Sequence, residues 1–231
     1  MATLLLRLQG PMQAWGTASR FSERDTGLEP SKSGVIGLLC AAMGKPRLES
    51  PADGDRWPHL STLAKLRMGV RLDRPGKVAV DFQTAGGGKL GHREYGVAKA
   101  DGARPEAVMS WRYYLQDADF LVGLQGDDAA LLHRLHDALA SPVWPLFLGR
   151  KSYVPGAPVH LKDGVQDGDF LEVLAGYPFS GSGEAGQVRA LVDDPDGAGD
   201  EVRTDVPLDF ARRRFGARRV ASVPVFPPVS G

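Results

Sequence analysis

Apolar and polar positions divide the chain into a few distinct elements. Thr3 to Gln9 (TLLLRLQ) is an almost continuous apolar run of strand length, as in a strand buried on both faces, and Gly10-Pro11 is expected to end it. From Gly34 the segment GVIGLLCAAMG is apolar on nearly every side. Ser33 stands as its N-cap and Gly44 as its stop before Pro46, so a short buried helix is expected. Leu66 to Asp73 (LRMGVRLD) alternates with the period of a half-buried strand, and Asp119 to Leu124 (DFLVGL) predicts another. Asp127 and Asp128 then supply a helix start. Leu131, Leu132, Leu135, Ala138 and Leu139 follow on one helical face, and Ser141-Pro142 stops it before the apolar Val143 to Leu148.

That order, β-α-β-β-α-β, predicts an α+β, ferredoxin-like fold of the kind RNA-recognition modules use. The frame covers 1–76 and 114–160. Between its second and third strands lies an insertion, 77–113, rich in glycine and poor in core-forming residues; a segment that long inside a small domain is usually functional or disordered. Beyond 160, prolines, glycines and the short apolar pieces Phe170 to Leu174, Val188 to Val192 and Val220 to Val225 predict a β-rich C-terminal extension, 161–231, of low regularity.

Composition narrows the class. The chain has 231 residues, 42% of them hydrophobic, which suits a soluble globular protein of one compact domain, or of one domain with an appendage. No apolar stretch approaches the roughly 18 to 20 residues that cross a bilayer, so no membrane partner is expected. The start lacks the features of a secretory signal and Cys40 has no partner cysteine, which predicts a cytoplasmic protein. Charge changes the picture more. The 28 basic and 28 acidic residues balance, yet 163–201 holds ten of the carboxylates and one basic residue, Arg189, leaving a basic surplus elsewhere. Arg212, Arg213, Arg214, Arg218 and Arg219 form a further basic cluster. Such a division suits one face for a polyanion and another for solvent or a protein.

Several chemical motifs fail in context. Gly86-x-Gly88-x-x-Gly91 matches a dinucleotide fingerprint, but Gly96, Gly102 and Pro105 leave no helix after it to hold a pyrophosphate. No P-loop pattern exists. His133 and His136 stand three apart on the second predicted helix, but His133 lies away from the apolar face; His59 and His160 lie in loop-like surroundings. No metal and no cofactor are expected. The glycine-rich insertion instead reads as a projecting finger whose Lys89, His92, Arg93 and Tyr95 touch phosphate, a base or a neighbouring subunit.

Three other segments combine into one site: LRLQGPMQAWG (6–16), PSKSGVIGLL (30–39) and FLGRKS (147–152). The first offers Gln13 for polar contacts and Trp15 for stacking on a base. The second brings Lys32 and Ser33 to a helix N-terminus, where unpaired N–H groups favour an anion. The third places Arg150, Lys151 and Ser152 where a phosphate chain can lie.

On these blocks, together with WRYYLQDADF (111–120) and PLFLGRKS (145–152), the sequence resembles the CasD family, small subunits of the type I-E CRISPR surveillance complex Cascade. The resemblance covers 3 to about 155. It implies a repeat-associated (RAMP) protein with a modified RNA-recognition fold and a thumb hairpin at about 77–113. It also implies a non-catalytic, RNA-binding role: holding the 5′ handle of the guide RNA, meeting the CasC backbone filament through the thumb, contacting the large CasA subunit, and reaching target DNA only through the assembled complex. The handle would then be bound by Gln13, Trp15, Lys32, Ser33, Arg112, Arg150, Lys151 and Ser152, with Arg20 in the loop before the first helix. A sister subfamily cuts repeat RNA without metal, using tyrosine, lysine and histidine. The alternative activity is therefore a metal-independent endoribonuclease with His92 as acid or base, Lys89 on the transition-state phosphate and Tyr95 nearby.

Overall fold

The computed structural model describes residues 1–16, 22–90, 93–96, 107–181, 186–194, 197, 199 and 201–228, with the backbone alone at 89, 90 and 93–95. Its first half runs β1 (Ala2–Gln13), β2 (Glu23–Arg24), α1 (Lys32–Met43), α2 (Leu60–Lys65), β3 (Arg67–Arg74), β4 (Lys77–Ala85), β5 (Gly88–Leu90) and β6 (Arg93–Tyr95). The second half runs β7 (Val108–Gly126), α3 (Ala129–Ala140), β8 (His160–Asp167), α4 (Phe170–Gly176), β9 (Val188–Asp193), β10 (Glu201–Asp209) and β11 (Arg214–Val225).

One large, mainly antiparallel sheet carries the order β10-β11-β9-β3-β7-β1-β8, with β2 and β4 flanking the N-terminal half of β7. Leu4, Leu6 and Leu8 of β1 turn to one face, where Val35, Ile36 and Leu39 of α1 and Leu132 and Leu135 of α3 complete the main core. Leu5 turns the other way and packs with Leu121 and Val173 under α4. Burial on both faces is why this strand reads as an unbroken apolar run. On the α4 side, Gly69 of β3 and Gly123 of β7 are register partners. A Cβ on either would lie within 3 Å of Phe170 or Leu174, so the two glycines form the seat on which α4 rests.

Three central strands also carry charges beneath α4. Arg71, fully buried, donates twice to the Asp73 carboxylate (2.6 and 2.9 Å) and to the carbonyls of Leu174 (2.7 Å) and Tyr177 (2.6 Å), neutralising the C-terminal end of α4. Arg7 bridges Asp73 (2.8 Å) and Asp119 (3.1 Å), and Ser180 hydrogen-bonds both carboxylates. A second network lies on the other side. Arg218 grips Asp205 through Nε (2.6 Å) and Nη2 (2.8 Å) and also reaches Asp193, which in turn accepts from Lys32 Nζ (2.9 Å). Asp205 closes the ring by accepting from the Lys32 backbone N–H at the start of α1 (2.8 Å).

The structure corrects several expectations. β1 runs on through Gly10-Pro11: the pairing with β7 skips Pro11, which has no N–H to give, and Asp117 takes up the slack with φ 54°. Helix α1 begins at Lys32, two residues early, because Ser31 rather than Ser33 is the cap, its Oγ accepting from Gly34 N–H at 3.3 Å. β7 starts at Val108, not 119, since its N-terminal half pairs with β4. Val143 to Leu148 forms no strand; Val143 and Trp144 donate to the carbonyls of Ala42 and Ala41 at the end of α1, and β8 takes the final core position beside β1. Phe170 to Leu174 is helical, capped by Asp169, which accepts from Leu171 and Glu172 N–H. The C-terminal segment is regular: β9 pairs with β3, and β11 and β10 extend the same sheet. His160 lies in β8, its ring 4.3 Å from that of His136; burial first, and the neighbouring imidazole second, lower its pKa.

Burial opposes the charge on Asp205 and on Asp73, but hydrogen bonds from Arg218 and from Arg71 prevail and hold both carboxyls below the usual range. The unfolded chain therefore takes up protons first. This stabilisation is complete above the unfolded aspartate value of about 3.9 and fades as pH falls through it toward the folded values. Denaturant titrations from pH 6 to 3 should show a steep loss beginning near pH 4, and Asp205→Asn should cost about 1.5–3 kcal/mol at pH 7 while flattening that slope. Equal acid slopes in the two proteins would contradict the assignment.

Candidate nucleic-acid interface

The three sequence blocks do converge. Ala14 N–H donates to the Leu148 carbonyl (3.0 Å), and Leu148 and Tyr153 close a turn around 149–152 through Leu148 N–H to the Tyr153 carbonyl (2.7 Å). Gly149 sits at φ +93°, and a Cβ there would fall 1.8 Å from the Ala14 carbonyl oxygen, so only glycine lets this turn dock on the end of β1. The Trp15 indole lies over Gly34 at the start of α1, where a Cβ would come within 2.8 Å of the ring.

Convergence, however, buries the central residues. Gln13 is fully enclosed: its amide donates to the carbonyls of Leu8 (2.9 Å) and Ala118 (2.8 Å), and its Oε1 accepts from Trp15 Nε1 at 3.1 Å. Trp15 is 2% exposed, so it presents no face to a base in this conformation. Lys32 is 4% exposed and spent on Asp193. Ser33 is half-buried, its Oγ 3.5 Å from that of Ser31. These four side chains build the platform.

What reaches the surface comes from the rim. Arg150, half-buried, donates to the Tyr153 hydroxyl (2.8 Å) and to the carbonyls of Arg24 (2.9 Å) and Asp25 (3.2 Å), while Lys151 and Ser152 are exposed. β2 pairs in parallel with β7 and sets Arg24 beside Arg112, whose Nε donates to Ser110 Oγ at 3.1 Å. Arg24, Arg112 and Arg150 thus form a basic stripe, in which hydroxyl and carbonyl acceptors fix the guanidinium groups of Arg112 and Arg150. Nothing in the sequence marks Arg24, because its place depends on β2 pairing with a strand far along the chain.

Above the stripe, β4 and the first half of β7 project as a ribbon with two unlike faces. Val78, Val80, Phe82, Met109, Trp111 and Tyr113 share one face and are all at least a third exposed, with Phe82 and Trp111 in contact at 5.3 Å. Asp81, Gln83, Ser110 and Arg112 occupy the other. On the ribbon Phe82, Trp111 and Tyr113 are exposed where Trp15 is not, a set legible in the alternation VAVDF and MSWRY. At the ribbon's end, Lys89, Arg93 and Tyr95 belong to the β5–β6 hairpin, but their side chains, along with His92 and Arg20, lie outside the described residues.

No helix is long and apolar enough to cross a membrane, and among the described residues no three His, Cys, Asp or Glu side chains gather as metal ligands. Trp15→Ala should cost about 3–5 kcal/mol of unfolding free energy, as expected for an indole lost from a core. A variant of unchanged stability would return Trp15 to the surface role the sequence suggested.

Comparison with known proteins agrees with this architecture. CRISPR system Cascade subunit CasD of Escherichia coli (strain K12) is 35% identical over 161 residues, covering 64% of this chain and 65% of that protein, just under two thirds of the relative's length. A solved structure described as a crystal structure of Cas protein superposes with a TM-score of 0.76 at 41% identity, covering 99% of this chain and 98% of that one. A chain from a CRISPR RNA-guided surveillance complex superposes with a TM-score of 0.77 at 35% identity, covering 99% and 93%. The model of the family described as CRISPR-associated protein (Cas_Cas5) matches residues 3–221, so the chain belongs to that family.

Proposed function

We propose that this chain is a non-catalytic RNA-binding subunit of a cytoplasmic type I-E Cascade complex. In this reading it caps the 5′ handle of the guide RNA and joins the CasC backbone filament to the large CasA subunit in antiviral defence. The observation that carries the reading is the basic stripe at the thumb base, where Arg24, Arg112 and Arg150 come from three separate segments and Lys151 and Ser152 stand exposed beside Arg150. Arginine forks held by carbonyls and hydroxyls suit a phosphate backbone, whose contacts position a strand without reading its bases.

The neighbouring order β8-β1-β7-β3, with α1 and α3 packed on one face, supports a ferredoxin-like core. An RNA-recognition module stacks bases on the opposite face of that sheet. Here α4 and the Arg7–Arg71–Asp73–Asp119 network occupy that face, so the handle is held at the loop edge instead. The apolar ribbon face, too large to leave in water in an assembled particle, supports a protein partner for the thumb, and the backbone filament is the partner this reading assigns.

Arg150→Ala combined with Lys151→Ala should lower guide-RNA retention in the assembled complex several-fold and make it more sensitive to salt; unchanged retention at raised salt would reject the stripe as the handle surface. Val80→Glu with Phe82→Glu should leave a folded chain that no longer joins the backbone subunits in co-purification. Normal incorporation would move the filament contact elsewhere.

A further inference from the structure

One cavity of about 340 Å³ is lined by charged residues throughout: Lys65, Arg67, Asp193, Asp194, Arg218 and Arg219. Its volume falls within the ~300–1,000 Å³ range of small-molecule sites. It is built by the end of α2 and the beginning of β3 where they meet β9 and β11, none of which contributes to the thumb-base stripe.

Among the described residues the charges around it do not cancel. Asp193 and Asp205 are matched by Lys32 and Arg218, a closed group of two anions and two cations. Beyond that group the lining holds three cations, Lys65, Arg67 and Arg219, against Asp194. Two of the three are positioned by neutral partners. Arg67 donates through Nε to the Asp193 carbonyl at 3.3 Å, and its guanidinium lies 4.8 Å over the Phe170 ring. Arg219 donates through Nη1 to the Gly199 carbonyl at 3.2 Å. Lys65 is exposed at the mouth. A guanidinium tied by Nε and a ring face keeps its terminal N–H pair for a forked acceptor, and its restraint in advance reduces the entropy cost of binding. One such fork at Arg67, the second guanidinium of Arg219 and the Lys65 ammonium around one space suit the tetrahedral oxygens of a phosphate.

We propose that this cavity is a phosphate-binding site, taking either a phosphodiester of a nucleic-acid strand or a free phosphate monoester. It stands whether or not the handle is bound at the thumb base. The test uses the full chain and Lys65→Ala/Arg219→Ala, with Lys65→Gln as a milder second variant. Each is studied alone and in the Arg150→Ala/Lys151→Ala background, so that failure of the handle reading is seen separately. In the first arm, melting is compared in inorganic phosphate and in chloride at matched ionic strength. In the second, binding of a labelled uridine octanucleotide is followed against KCl concentration.

Phosphate should raise the melting temperature of the parent and not of the double variant. If the strand is the source, octanucleotide affinity should also drop about fivefold in the double variant. The slope of log K against log salt should then shrink by roughly 0.7 for each strand phosphate that the variant no longer neutralises. Loss of phosphate stabilisation in the double variant, with its octanucleotide binding intact, assigns the site to a free monoester. The proposal is overturned if neither arm changes. It is equally overturned if Arg47→Ala/Lys162→Ala, which removes the same charge from exposed positions elsewhere, reproduces both effects.

Discussion

Four ionised side chains with little access to water, Lys32, Asp193, Asp205 and Arg218, tie the first turn of α1 to the last hairpin of the chain. Charges so placed are costly unless every one is paired and hydrogen-bonded. Here they are: Asp205 accepts from both sides of the Arg218 fork and from the Lys32 N–H, and Asp193 accepts from Lys32 Nζ, Arg218 and the Met68 N–H. Glu29, 3% exposed, repeats the device just before α1 by pairing with Arg189 and with Arg203. The segment leading into the helix is thus clamped to β9, β10 and β11, and the C-terminal hairpin becomes a structural half of the molecule.

This clamp explains why residues that look suited to a ligand serve the frame. A lysine and serines at a helix N-terminus form an anion site only while their donors are unspent. The C-terminal aspartates spend them. Trp15 and Gln13 follow the same logic, since a Trp N–H inside a core needs an acceptor and Gln13 supplies one while stitching β1 to β7. The cations left at the surface lie one layer out, where Arg112 leans on a hydroxyl and Arg150 on a hydroxyl and two carbonyls.

The charge division along the chain acquires a second meaning from the fold. Asp193 of the acidic stretch turns inward against Lys32 and Arg218, and basic side chains collect at the base of the β4–β7 ribbon and around the Lys65–Arg67–Arg219 cavity. The ribbon adds an apolar face beside the Arg24–Arg112–Arg150 stripe.

The sequence by itself determined α1, α3, β3 and the core of β1, because each is written in local periodicity and in the polar residues and glycines that flank it. It also marked the three blocks that meet, since unusual glycines next to aromatic and basic residues signal close backbone approach. Tertiary structure alone decided which of those residues face solvent. Burial of Trp15 depends on Gly34 and burial of Lys32 on Asp193 and Asp205, partners up to 173 residues away. The last core strand was decided in the same way: Val143 to Leu148 has the apolar content, but the end of α1 claims its N–H groups, leaving the place beside β1 to the more polar β8. Local pattern sets what an element is, whereas exposure is set by whichever distant group pairs with it first, and no window of sequence contains that competition.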